Sequence, residues 1–110
     1  MTAEAHCAET TAQALLAADE AARWATLFKA LSDPTRVRIV EYIASDDCAQ
    51  VCACHLPEAL GISQPTLSHH MKKLVDAGIL TRTQRGRWAD YAVNTDILAQ
   101  LRSWPANCRC

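Results

Sequence analysis

A chain of 110 residues, half of them hydrophobic, has the size of one domain with a modest core. No apolar run approaches the roughly 20 residues of a membrane span, and the first twenty residues interleave Glu4, Glu9, Asp19 and Glu20 with alanines, unlike a signal or transit peptide; the expected compartment is the cytoplasm. The net charge of -1 is unevenly spread: residues 1 to 62 hold four basic and nine acidic side chains, residues 63 to 87 five and one, residues 88 to 110 two of each, so one basic segment can meet a polyanion.

Residues 1 to 10 read as a flexible arm, 11 to 105 as one domain and 106 to 110 as a flexible tail. From Thr11 to Leu31 the chain is alanine-rich, and Trp24, Leu27, Phe28 and Leu31 fall at i, i+3, i+4 and i+7, one helical stripe. SDPTR then stops and restarts the chain, with Asp33 as N-cap and Pro34 at the first helical position, where its missing N–H costs nothing. The next helix, to about Ala44, is expected to bury Val37, Val40 and Ile43 or their neighbours.

SDDCAQVCA is too polar and irregular to assign. In HLPEALGI, Pro57 can open a short helix and Gly61 can close it in the left-handed conformation. Ser63 caps another helix about three residues on, whose buried stripe is Leu67, Met71, Leu74 and Val75 and whose end is Asp76-Ala77-Gly78. Two helices joined so tightly through a glycine form a helix-turn-helix. The period then changes to two: ILTRTQ and RWADYAV, separated around Arg85-Gly86, predict a β-hairpin with an arginine-rich tip. A last helix from Asn94 or Thr95 carries Ile97, Leu101 and Trp104 on one side, and Pro105 ends it.

Off the apolar stripe of the helix from Ser63 to Ala77 lie Gln64, Thr66, Ser68, His69, His70, Lys72 and Lys73. Glutamine can make a paired contact to adenine, the hydroxyls can serve bases or phosphates, and lysine supplies sequence-blind attraction. The hairpin adds Arg82, Arg85 and Arg87 for flanking backbone or minor groove. Most charged helix faces are merely solvated, but here the helix-turn-helix spacing, a basic hairpin and charge segregation coincide, predicting a DNA-binding winged helix-turn-helix. His69 and His70 diverge by about 100° on a helix and do not easily share one ion. An enzyme is not indicated: no oxyanion loop, glycine-rich phosphate cradle or carboxylate pair accompanies the cysteines.

FKALSDPTRVRIVEYI, VCACHLPEALGISQPTLSHHMKKLVDAGIL and the wing RGRWADYAV, over residues 20 to 104, resemble the ArsR-type (ArsR/SmtB) metalloregulatory repressors. The resemblance implies a mainly α fold with a β-hairpin wing: four helices, a recognition helix, two strands and a final helix, as a homodimer. It further implies repression of operator DNA when metal-free and release on binding a toxic ion. It places a CxC sensing pair at the start of the helix before the recognition helix, matched here by Cys52 and Cys54.

Residues i and i+2 of a regular helix diverge by about 200°, so these two sulfurs converge only where the helix start is unwound or extended. An ion drawing both inward must then distort the helix-turn-helix, and the two recognition helices lose their spacing for successive grooves. Soft thiolates select thiophilic ions, with arsenite or antimonite, As(III) or Sb(III), first and Cd, Pb or Hg second.

The third ligand stays open. The arsenic sensors' third position, three residues on, is Pro57 here. Cys48 is the nearest substitute; Cys7, beside His6, could reach across the dimer; Cys108 and Cys110 form a second CxC in the tail. The family's other zinc site, on the last helix, is expected to be absent, because DILAQLRSW has one Asp and no His. The alternative function is a thiol-redox switch without metal, in which the strain of a small ring disfavours a bond between Cys52 and Cys54 and leaves Cys48 to pair with either.

Overall fold

The computed structural model describes residues 15–45 and 51–105. The element order is α1 (Ala18–Ala30), α2 (Pro34–Ala44), β1 (Val51–Cys52), α3 (Leu56–Leu60), α4 (Gln64–Asp76), β2 (Leu80–Arg85), β3 (Trp88–Val93) and α5 (Thr95–Arg102). This is the expected mainly helical winged helix-turn-helix. Three of the four helices expected before the recognition helix, α1 to α3, lie in the described residues.

Local chemistry sets most boundaries. Asp33 accepts from the Thr35 and Arg36 N–H groups at 2.8 and 3.3 Å, satisfying two of the donors that a helix start leaves open. Ser63 does the same for Thr66 N–H at 3.3 Å, and Asn94 for Asp96 and Ile97. Gly61 ends α3 at φ 69°, and Ile62 N–H donates to Pro57 O at 3.0 Å, so the chain reverses within three residues into α4. Gly86, at φ 62°, opens the two-residue turn between Arg85 and its cross-strand partner Trp88.

The core is shared by α1 (Trp24, Leu27, Ala30), α2 (Ile39, Ile43), Leu56 of α3, α4 (Leu67, Met71, Leu74), and Ile79, Leu80 and Val93 around the wing. The α4 stripe falls where its periodicity predicts, with Val75 half-buried.

Three expectations are corrected. Among the described residues the first helix begins at Ala18, and residues 15–17 before it are not helical. In α2 the buried pair is Ile39 and Ile43, whereas Val37 is 50% exposed, because the helix turns its i, i+4 isoleucines toward α4 and β3. Phe28 and Trp104 are 37% and 48% exposed, forming an aromatic cluster with Trp24 on the surface between α1 and the end of α5.

A third strand joins the wing. Val51 and Cys52 pair antiparallel with Tyr91 and Asp90, giving the sheet order β1-β3-β2 with β3 in the centre. The expected arm, residues 1 to 10, and tail, 106 to 110, lie outside the described residues.

Candidate nucleic-acid interface and thiol site

The tight turn at Gly61 sets α4 against α3, and burial of Leu67, Met71 and Leu74 turns the other face of α4 outward. Gln64, Thr66, Ser68, His69, Lys72 and Lys73 are all exposed there. Several have local partners: Ser63 Oγ donates to Thr66 Oγ1 at 2.9 Å, Gln64 Nε2 reaches Ser68 Oγ at 3.5 Å, and Lys72 Nζ lies 3.0 Å from Asp76 Oδ2. His70 differs, being half-buried, with Nδ1 accepting from Arg36 Nε at 3.1 Å. That bond ties α4 to α2, and its ring centroid stands 6.0 Å from that of His69. Arg82, Arg85 and Arg87 are exposed on the wing.

Cys52 closes β1, and Cys54 lies in the turn before α3, held by the Leu56 N–H to Ala53 O bond at 3.1 Å. The sensing pair was expected at a helix start; pairing of β1 with β3 makes that segment extended instead. With Cα atoms 5.4 Å apart, the two sulfurs converge on one side of the extended backbone. Cys54 N–H also donates to Cys52 Sγ at 3.3 Å.

Cys7, Cys48, Cys108 and Cys110 lie outside the described residues. Among the described residues no group of three or more His, Cys, Asp or Glu side chains is placed to hold a metal ion. The donor set there is two sulfurs, which suits a thiophilic ion rather than a hard one.

A cavity of about 250 Å³ brings these parts together. Cys52 and Cys54 line one side, Gln64, Leu67, Ser68 and Met71 of α4 another, and Arg82, Arg87, Trp88 and Tyr91 of the wing the third. The thiols thus sit between the recognition helix and the wing.

Sequence reasoning missed Asp90, the one buried charged side chain among the described residues at 7% exposure. Its carboxylate takes Arg85 in a two-pronged pair, Nε to Oδ2 at 3.1 Å and Nη2 to Oδ1 at 3.3 Å. The period of two gave no signal for it, because Asp90 and Val93 are three residues apart and fall on opposite faces of β3. Among the described residues no helix is long and apolar enough to cross a membrane.

Comparison with known proteins converges on one group. The family model described as bacterial regulatory protein, arsR family, matches residues 33–82, from the N-cap of α2 into β2. The arsenical resistance operon repressor of Staphylococcus xylosus is 44% identical over 73 residues, 66% of this chain and 67% of that protein. That of Staphylococcus aureus is 43% identical over 76 residues, 69% and 70% of the two chains.

Among solved structures, an ArsR-like transcriptional regulator from Rhodococcus sp. RHA1 superposes with a TM-score of 0.64 at 26% identity, covering 80% of this chain and 81% of that one. A possible transcriptional regulator for arsenical resistance gives 0.61 at 29%, covering 71% and 77%. With its helix-turn-helix, wing and basic face, the chain belongs to the arsR family of bacterial regulatory proteins: it is a DNA-binding regulator of transcription and not an enzyme.

Proposed function

We propose that this chain is a cytoplasmic, homodimeric repressor that holds operator DNA while its thiols are free and releases it when Cys52 and Cys54 capture a thiophilic ion. Arsenite or antimonite comes first, and Cd, Pb or Hg second. The observation that carries the reading is the shared cavity: the converging sulfurs of Cys52 and Cys54 lie between α4 and the wing. Any movement of those sulfurs toward an ion acts directly on the two elements that would meet DNA. The names of the staphylococcal relatives, arsenical resistance operon repressors, support the arsenic assignment. Pyramidal As(III) takes three sulfurs, so Cys48, Cys7, Cys108 or Cys110 would complete the set; Cys48, four residues before Cys52, is the first candidate.

In this reading Gln64, Thr66, Ser68 and His69 face bases, and Lys72, Lys73, Arg82, Arg85 and Arg87 face phosphates. Capture of both sulfurs re-aims the β1 to α3 segment and shifts the helix-turn-helix out of register with the groove.

The test is operator binding by fluorescence anisotropy with fully reduced protein. Cys52→Ser and Cys54→Ser should keep wild-type affinity and lose release by arsenite; retention of the operator by wild type saturated with arsenite and cadmium would sink the reading. The convergence of the Cys52 and Cys54 sulfurs supports a second reading, a redox switch, in which peroxide takes two electrons from two thiols and forms a disulfide and two waters. Release by peroxide in the absence of any metal ion would select it.

A further inference from the structure

We infer that Asp90 is the positioning residue that couples the thiol pair to the wing. It aligns Arg85 for DNA and shares its strand register with Cys52, so capture of the thiols loosens the grip of the wing. The inference rests on the proposed repressor function and adds the route by which release is transmitted.

Three observations meet at Asp90. It lies in the central strand of the sheet, opposite Cys52 of β1 on one side and Thr83 of β2 on the other. Its carboxylate is buried, and the Arg85 side chain that neutralises it is 73% exposed. A buried carboxylate without its cation is costly, so Asp90 holds Arg85 with two fixed bonds while leaving the outer face of the guanidinium open to a phosphate. A planar donor fork gripped on one edge has lost most of its rotamer freedom before DNA arrives, which lowers the cost of binding.

The link to the thiols is short. β1 has only two residues, paired with Tyr91 and Asp90, so a change of backbone direction at Cys52 removes half of its ladder at once. The residue that loses its neighbour is Asp90. Opening that edge admits water to the carboxylate and weakens its hold on Arg85. Thiol capture is thereby felt in the wing as well as in the helix-turn-helix.

The experiment uses the full reduced chain and a short operator duplex, with affinity measured against salt concentration. Asp90→Asn should cost roughly tenfold, the scale of one charge-assisted hydrogen bond, and flatten the slope of log affinity against log salt by about one, as loss of a single phosphate contact does. Arg85→Ala should do the same, and the double variant should be no worse than Arg85→Ala alone. Arg85→Lys, which keeps the charge on an exposed site and loses the two-pronged geometry, should fall with Asp90→Asn.

Wild-type affinity in Arg85→Lys, or multiplying losses in the double variant, would overturn the positioning role while leaving the repressor reading intact. Wild-type affinity in Arg85→Ala would overturn both the inference and the placement of the wing on DNA. For the coupling, hydrogen exchange of the segment 88–93 should quicken when cadmium chloride is added to wild type and not to Cys52→Ser. Unchanged protection of that segment while cadmium releases the operator would show that the signal bypasses Asp90.

Discussion

Asp33 starts α2 with one carboxylate oxygen, and its charge state therefore controls that start. Partial desolvation pushes its pKa up, but the N–H groups of Thr35 and Arg36, with the His70 ring and the Arg36 guanidinium nearby, outweigh it and hold the carboxyl below its ordinary value. A depressed pKa contributes stability that is complete above the unfolded value, about 3.9, and is lost as pH falls through the folded one. Thermal melts of wild type and Asp33→Ala should therefore differ at about pH 5 to 6, with the difference shrinking only as pH falls below about 3.9. On α4, the Lys72–Asp76 pair has side chains 75% and 60% exposed, and such pairs contribute only about 0.3 to 0.5 kcal/mol. Asp76 therefore does not keep Lys72 from a phosphate. Lys72→Ala and Lys73→Ala should each weaken binding to every duplex and lower the salt slope by about one. Gln64→Ala should instead relax preference at one base pair by about 1 to 3 kcal/mol, read from competition among operator variants. Thr66 is a poorer probe, because Ser63 Oγ both caps its N–H and donates to its hydroxyl.

The three residues joining α3 to α4 fix the angle of the helix-turn-helix, and Gly61 bears the conformational demand. A Cβ at Gly61 would meet nothing within 4 Å, but its φ of 69° lies in the left-handed region. Gly61→Ala should thus cost about 1 to 2 kcal/mol from backbone strain alone, seen as a lower urea midpoint with an unchanged m-value. This turn was legible in the sequence because its causes are local: a glycine that must take positive φ, a serine cap, a proline in the first turn. The hairpin at Gly86 was legible for the same reason, as was the α4 stripe, whose thirteen residues repeat the period often enough to fix its phase. In α2 the phase was not readable, since Val37, Ile39, Val40 and Ile43 offer apolar groups on more than one face and only the positions of α4 and β3 choose among them. Strand β1 was hidden more deeply. Val51 and Cys52 owe their extended conformation to Tyr91 and Asp90, some forty residues away, and nothing in SDDCAQVCA announces that partner. The consequence reached the site: the thiols were foreseen, and so was the need for extended backbone to make them converge. The strand that supplies it, and the buried Asp90 beside it, came from long-range pairing that neighbouring residues do not encode.

A single copy leaves an apolar face uncovered. Trp24 and Phe28 of α1 lie against Trp104 just past α5, with ring centroids 4.9 to 6.2 Å apart. Phe28 and Trp104 remain 37% and 48% exposed, and Leu15 and Leu16, just before α1, 80% and 41%. Arg23 stiffens the same region, bonding Glu20 at 3.0 Å and Gln100 of α5 at 2.8 Å, so α1 and α5 present one preformed surface. α5 buries no residue fully, which leaves it dependent on a further layer. A second copy is the occupant that the proposed function requires, because one α4 reads only one groove segment, whereas two read half-sites about 34 Å apart. Trp104→Glu puts a charge into that surface beyond the end of α5 and away from α4 and the wing. Sedimentation should then show a monomer at concentrations where wild type is a dimer. Affinity for a full operator should fall on the order of a hundredfold, the loss of linked binding, while affinity for a half-site duplex stays at the wild-type monomer value. If Trp104→Glu sediments as a dimer, the α1 and α5 face is not where the two copies meet. If it sediments as a monomer and still binds the full operator with wild-type affinity, one copy suffices for recognition, and the requirement for paired recognition helices falls.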